Sequence, residues 1–306
     1  MDKLQAMNTF VRVVQAGSFS AVAHEFGATQ SAVSKQVAAL ERELGAKLLT
    51  RTTRSLALTE EGERYFEQAR RLVADIAEAE ATLRRGEQQL TGWLRIAAPV
   101  AFGRLHLMPR VQSFMAAHVG VKIDLRLSDG FVDLVEQGID LAVRIGELAD
   151  SSLVARRVGT TRRMLVAHRG YLRALPKGLK APRSPDDLAH HNCLVYTGLQ
   201  APHAWSFQAG PGASEPAGTA RVVRVEGNLQ TNSSEVMRAS VLAGMGIAHA
   251  PTWLFEAELA SGEVQRLLPD WETLPMPIHL VSPQQRRHSA KVQAFAAFVA
   301  ESMAGA

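Results

Sequence analysis

The 306-residue sequence contains a single cysteine, Cys193. One thiol excludes an intramolecular disulfide framework and any metal site of clustered cysteines. No stretch reaches the roughly 18 apolar residues of a membrane-spanning helix. The opening MDKLQAMNTF has neither an apolar core nor a small-residue cleavage pattern. Export is therefore not expected, and a bacterial-type cytoplasm is the expected compartment. Catalytic signatures are also missing: there is no Walker loop, GxSxG elbow or HExxH. Gly244-Met245-Gly246 lacks the third glycine of a dinucleotide loop and does not lead from a strand into a helix. His190, His191 and Cys193 have no partner at metal-ligand spacing. No metal, cofactor or enzymatic activity is expected.

What is present is a globular composition, with 46% hydrophobic and 21% charged residues. The length suits about two domains of roughly 100–200 residues each. Charge is uneven along the chain. Residues 1–58 hold seven Lys/Arg against four Asp/Glu, and residues 59–90 hold five against eight. A basic head points to nucleic acid only if the cations sit on an element that can dock.

Such an element is readable. Leu4, Met7, Val11 and Val14 follow helical spacing, with Phe10 beside them. Gly17 stops that helix, and Ser18 can cap a short second one carrying Phe19, Val22, Ala23 and Phe26. After Gly27, Thr29 can cap a third helix whose buried stripe is Val33, Val37, Leu40 and Leu44. Its other face begins Gln30, Ser31, Ser34, Lys35. This is the pattern of a helix-turn-helix. The following KLLTRTTRSLALTEEG reads as two short strands around a basic tip with Arg51 and Arg54, a wing. The third helix can enter the major groove, where Gln30 can pair with adenine while Ser34 and Lys35 reach base edges or phosphates. The wing tip can reach phosphates or the minor groove.

The stretch from about residue 4 to 62, with GSFSAVA, SAVSKQVAALE, LGAKLLTRTTR and LTEEG in that order, resembles the DNA-binding head of the LysR-type transcriptional regulators. The resemblance implies Ser18, Thr29, Gln30, Ser31, Ser34, Lys35, Arg51 and Arg54 at the DNA. It also implies double-stranded DNA, a small-molecule effector, further copies of the chain in a dimer or tetramer, and RNA polymerase as partners. The domains expected are a winged helix-turn-helix over 1–58, a linker helix over 59–90 and an effector domain over 91–306.

In the linker, Tyr65, Ala69, Leu72, Ile76, Ala79 and Leu83 recur at spacings of 4, 3, 4, 3 and 4. That is a heptad seam. The resemblance makes it an intersubunit contact; a helix packed on its own domain is the alternative. Paired linkers would hold two heads apart at a fixed distance, so the target should be roughly palindromic.

From residue 93 on, strand and helix patterns alternate, which implies parallel strands with right-handed crossovers. Strands are expected at 93–98, 121–127, from 141, 164–168, 221–228, 246–250 and 279–282. Helices are expected at 104–117, 130–138, 232–243, 252–260 and 289–302, and a Gly/Pro/Ala-rich loop at 201–220. LRIAAPVAFGRLHLMP, GIDLAVRIGEL and VLAGMGIAHAP resemble the effector region of the same family. The resemblance implies two Rossmann-like lobes, as in periplasmic binding proteins. Lobe I would hold about 91–160 and 268–306 and lobe II about 161–267, with crossings near 159–163 and 265–269. The fold class expected is thus α/β with a helix-rich head.

Ligands of α/β sheets bind beyond the carboxyl ends of strands. Those places hold Pro99, Val100 and Ala101, then Ser128 and Asp129, then Arg144, then Thr197 and Gly198. Asn232 at a helix start and Gly246 complete the candidate effector set; Asn232, Ser233 and Ser234 could cap the helix or present N–H groups to an anion. Arg144 interrupts an apolar strand, and burying it requires an anion or several acceptors. An organic-acid effector would satisfy it, as would an internal pair with Asp129 or Asp140. Many members of the resembled family carry Ser or Thr after the first strand; Pro99-Val100 here turns the pocket towards apolar character. A ligand-independent architectural DNA-binding protein is the rival reading.

Overall fold

The computed structural model describes residues 2–51, 56–83, 90–148 and 153–304. The chain divides into two compact units, Met1–Gln89 and Leu90–Ala306.

In the first unit, α1 (Lys3–Ala16) starts on Asp2, whose carboxylate accepts the N–H groups of Leu4 and Gln5, and stops at Gly17 with φ 63°. The left-handed conformation there is cheap for glycine alone. Ser18 caps α2 (Phe19–Glu25) and Thr29 caps α3 (Gln30–Leu44), each through its side-chain oxygen. The antiparallel pair β1 (Leu49–Arg51) and β2 (Leu56–Leu58) forms the wing, with Leu49 opposite Leu58. Phe10, Val33, Leu40 and Leu48 fill the head core.

The wing is tied to α3 by Glu41. Its carboxylate accepts from Lys47 Nζ at 2.7 Å and from the N–H groups of Leu48 and Leu49 at 3.0 and 3.2 Å. Burial raises its pKa, but those three donors outweigh burial and hold the carboxyl below its ordinary range.

The helix α4 (Glu60–Leu83) leaves the wing with Gly62 against the backbone of Leu48, where a Cβ would come within 2.0 Å of the Leu48 carbonyl oxygen. The heptad stripe is divided along this helix. The Tyr65 ring packs tilted against Phe10 at 5.7 Å between ring centroids, and Ala69 is only 1% exposed in the head core. These two residues of the expected intersubunit seam are therefore covered by their own head, because the first turns of α4 pack on α1. Leu72 and Ile76 remain 50% and 36% exposed. Arg54 lies outside the described residues, as do the side chains of Arg51, Ala79 and Leu83.

The second unit has two lobes. Lobe I begins with β3 (Gly92–Ala98), the short α5 (Val100–Phe102), a π-type turn Gly103–Leu107 and α6 (Met108–Ala117). It continues with β4 (Val121–Leu127), β5 (Leu141–Ile145) and β6 (Leu153–Thr161). Lobe II follows with β7 (Arg163–His168), α7 (Arg169–Arg173), β8 (Cys193–Tyr196), β9 (Ala204–Ala209) and β10 (Ala220–Arg224). Then come β11 (Gln230–Thr231), α8 (Ser234–Leu242), β12 (Ile247–Pro251), α9 (Glu256–Ala260), β13 (Val264–Leu267) and β14 (Trp271–Glu272). The chain returns to lobe I through β15 (Met276–Pro283) and ends in α10 (Ala290–Ala304).

The lobe I sheet runs β4-β3-β5-β15-β6, and the main lobe II sheet runs β11-β8-β12-β7-β13. β3 is parallel to both β4 and β5, while β15 is antiparallel to its neighbours. The crossings lie between Thr161 and Arg163 and at 273–275. The second comes later than the expected 265–269, because β13 pairs with β7 and β14 with β9, both in lobe II.

Four other expectations change. Residues 130–138 form a turn, not a helix: Asp133 accepts from the N–H groups of Val135 and Glu136, and Gly138 at φ 58° stops the chain one turn later. The expected helix at 104–117 starts earlier, at Val100, and carries a π-type turn from Gly103, against which Leu127 packs. The Gly/Pro-rich segment 201–220 contains β9, whose Trp205, Phe207 and Ala209 alternate inward and pair it with β10. That alternation is a strand signal despite its flanks. The strand expected over 221–228 ends at Arg224, where its partner β9 begins.

Candidate functional site

The head presents the amino end of α3. Gln30, Ser31 and Lys35 are exposed there, and Ser34 is half-buried. Ser18 and Thr29 are spent as caps, accepting from the N–H groups of Ala21 and Ala32. Their hydroxyls fix where α2 and α3 begin. The opposite face, Val33, Val37 and Leu40, is buried. A polar end on a helix locked by its apolar face suits groove entry.

The second unit holds a cavity of about 320 Å³ between its lobes. Its wall includes Pro99, Ser128, Asp129, Arg144 and Gly198 from the expected set. The others lie elsewhere. Val100 uses its N–H on Asp129 Oδ1 at 2.9 Å, and Ala101 is fully buried. Thr197 is exposed and its N–H bonds to the Thr231 carbonyl. Asn232 is exposed beside α8, outside the wall. Gly246 serves a close approach of chains, since a Cβ there would meet the Asn192 carbonyl oxygen at 2.4 Å.

The amino end of α8 already holds an anion from the chain itself. Ser233 caps the helix by accepting from Val236, and Ser234 donates both its N–H and its hydroxyl to Asp129 Oδ2, each at 2.8 Å. Asp129 belongs to lobe I and α8 to lobe II, so this contact crosses the cleft. Arg104 and Glu235 make a second crossing at 3.0 Å.

Arg144 has neither expected carboxylate. One Nη donates to the Val132 carbonyl at 2.6 Å, and the guanidinium lies 4.7 Å from the centroid of Phe131, itself 87% exposed. Asp129 is engaged with Val100 and Ser234. Asp140 accepts from the Arg95 N–H and pairs with Arg286. Burial lowers the Arg144 pKa.

A second cation in the wall, Arg163, was not among the expected residues. Its neighbour Arg162 pairs with Glu272 at 2.8 Å, so the Arg-Arg pair reads as a solvated strand start. The signal that flagged Arg144, a cation abutting an apolar strand, applies equally to Arg163. Tyr196, Met237, Trp253 and Leu254 give the lobe II wall its apolar character. Among the described residues, no group of three or more His, Cys, Asp or Glu could hold a metal, and no helix is long and apolar enough to cross a membrane.

Comparison with known proteins agrees with both units. Residues 4–63 match the family described as bacterial regulatory helix-turn-helix protein, lysR family. Residues 87–304 match the LysR substrate binding domain. The chain is 35% identical over 292 residues to the HTH-type transcriptional regulator PtxR of Pseudomonas aeruginosa, covering 95% of this chain and 90% of that one. It is 34% identical over 267 residues to the HTH-type transcriptional regulator CrgA of Neisseria meningitidis serogroup C, covering 86% and 84%. Among solved structures, CrgA from Neisseria meningitidis superposes with a TM-score of 0.62 at 29% identity over 98% of each chain. The full-length Vibrio cholerae virulence activator AphB gives 0.58 at 27% identity, over 97% of this chain and 98% of that one.

Proposed function

The chain belongs to the LysR-type transcriptional regulators, and on that premise we propose that it is a dimeric or tetrameric regulator of a roughly palindromic promoter site whose effector is a small organic acid with an apolar body. The head reads DNA through Gln30 and Ser34, with Lys35, Arg51 and Arg54 on phosphates or in the minor groove. The effector occupies the cleft between the lobes. One observation carries the acid reading: Arg144 lies in the cleft wall with a carbonyl and a ring face as its partners and, among the described residues, no carboxylate. A sugar would need many hydroxyl partners, whereas most of this wall is apolar. An acid that binds one arrangement of the lobes better than the other shifts their populations by its differential affinity.

Two measurements test the proposal. Fragments of genomic DNA selected on the purified protein supply the site, and anisotropy titrations then compare variants and small molecules. Gln30→Ala should cost about 1–3 kcal/mol on the selected site and relax preference at one base pair. Unchanged binding to selected and random duplexes would remove Gln30 from the interface. Organic acids should alter affinity for the site, and Arg144→Met should blunt that response. A response to neutral sugars alone would overturn the acid reading.

A further inference from the structure

Arg163 opens β7 and lines the cleft from lobe II, opposite the lobe that carries Arg144. Its Nε donates to the His249 carbonyl at 3.1 Å, and an Nη donates to the same oxygen. The guanidinium carbon lies 5.7 Å from the centroid of the Tyr196 ring. Among the described residues no carboxylate pairs with it. Asp129, the acid in the same cavity wall, is engaged by Val100 and Ser234. A guanidinium has five N–H donors in a planar fork, and a single carbonyl oxygen takes only part of that capacity. Burial pushes its pKa down to about 10, so the group is still a cation at neutral pH. A half-buried guanidinium with one carbonyl and one ring face is under-compensated unless an anion joins it.

We propose that Arg163 anchors an anion subsite on the lobe II side of the cleft, where it takes the carboxylate of a small acid whose apolar body lies against Tyr196, Met237 and Trp253. This rests on the organic-acid reading of the cleft and adds to Arg144 a second group, on the lobe II side, that holds the acid. The planar fork offers a carboxylate two parallel N–H bonds, which a lysine could not. Arg144, over the exposed Phe131 ring, is the weaker of the two positions.

The test uses calorimetric titration and thermal melting of the full-length chain with three acids, phenylacetate, benzoate and 3-methylbutanoate, each beside its neutral amide. The wild type should bind at least one acid saturably and discriminate against the matching amide. Arg163→Met should weaken that acid by about thirtyfold or more, the usual penalty for truncating one partner of a buried charge pair. Its melting temperature without ligand should be unchanged or higher, because an under-compensated charge has been removed. Arg163→Lys, which keeps the charge without the fork, should fall between the two and decides the matter if Arg163→Met folds poorly. Wild-type affinity in Arg163→Met, or in Arg163→Lys where that variant decides, would overturn the anchor while leaving the acid reading standing. A lower melting temperature with retained acid binding would make Arg163 a structural strut. Wild-type protein that binds none of the acids, or binds the amides equally well, would overturn the acid reading and the anchor together.

Discussion

His249 shows how one side chain's surroundings set a property of the whole protein. Its ring lies 5.3 Å from Trp205 and 5.6 Å from Phe207, and its Nε2 is buried without a partner. Burial, reinforced by the charge of Arg163, holds its pKa well below the ordinary value. Burial lowers His106 and His191 as well. A histidine freed by unfolding takes a proton near pH 6.5. Below that pH, and down to the depressed folded values, the unfolded chain holds more protons, so stability falls as pH falls. The melting temperature should therefore drop between about pH 7.5 and 5.5. His249→Phe should show a shallower drop, and an equal slope in both proteins would mean that His249 is not held neutral. At this scale the sequence was legible for caps and turn glycines, because Ser18, Thr29 and Gly17 act on their immediate neighbours. It was less legible for arginines, whose long side chains choose partners from remote strands.

Along α4 the heptad period was plain, but its division was not. A spacing of three and four residues marks a face without saying what covers it. The head covers Tyr65 and Ala69, and leaves Leu72 and Ile76 exposed. Two substitutions on one stripe should then behave differently. Ala69→Glu would bury an unpaired charge in the head core and cost about 3 kcal/mol or more of stability, seen as loss of the head's cooperative melting. Leu72→Glu with Ile76→Glu should leave the fold intact and convert dimers to monomers in analytical ultracentrifugation. If the double variant sediments as the wild type does, the exposed half of the stripe is not an intersubunit seam. The same distinction explains the segment at 130–138, where apolar spacing suggested a helix. Asp133 caps a single turn and Gly138 closes it, so the buried Leu134 and Ile139 serve a loop.

At the scale of the effector unit, two lobes share one chain that crosses between them twice, and polar contacts bridge the cleft. Asp129 fills the amino end of α8, where the helix dipole and free N–H groups favour an anion. Asp129→Ala should leave the Ser234 and Val100 N–H groups without their acceptor, at a cost of about 1–3 kcal/mol. Hydrogen exchange at these two amides should accelerate while the sheet strands stay protected. Unaltered exchange would show that the lobes are held together by other contacts.

The sequence by itself determined the order of the parts: a capped helix-turn-helix with a wing, a heptad helix, and alternating strands and helices. Those features rest on interactions a few residues apart, which periodicity and capping chemistry express directly. Only the tertiary structure decided which half of the heptad stripe is spent on the head, that Asp129 rather than a ligand takes the Ser234 donors at the start of α8, and that Arg163 shares the cleft with Arg144. The partners in each case lie tens of residues apart, 105 between Asp129 and Ser234 and 86 between Arg163 and His249. Burial, and with it the cost of each charge, exists only once the strands that supply it have been brought together.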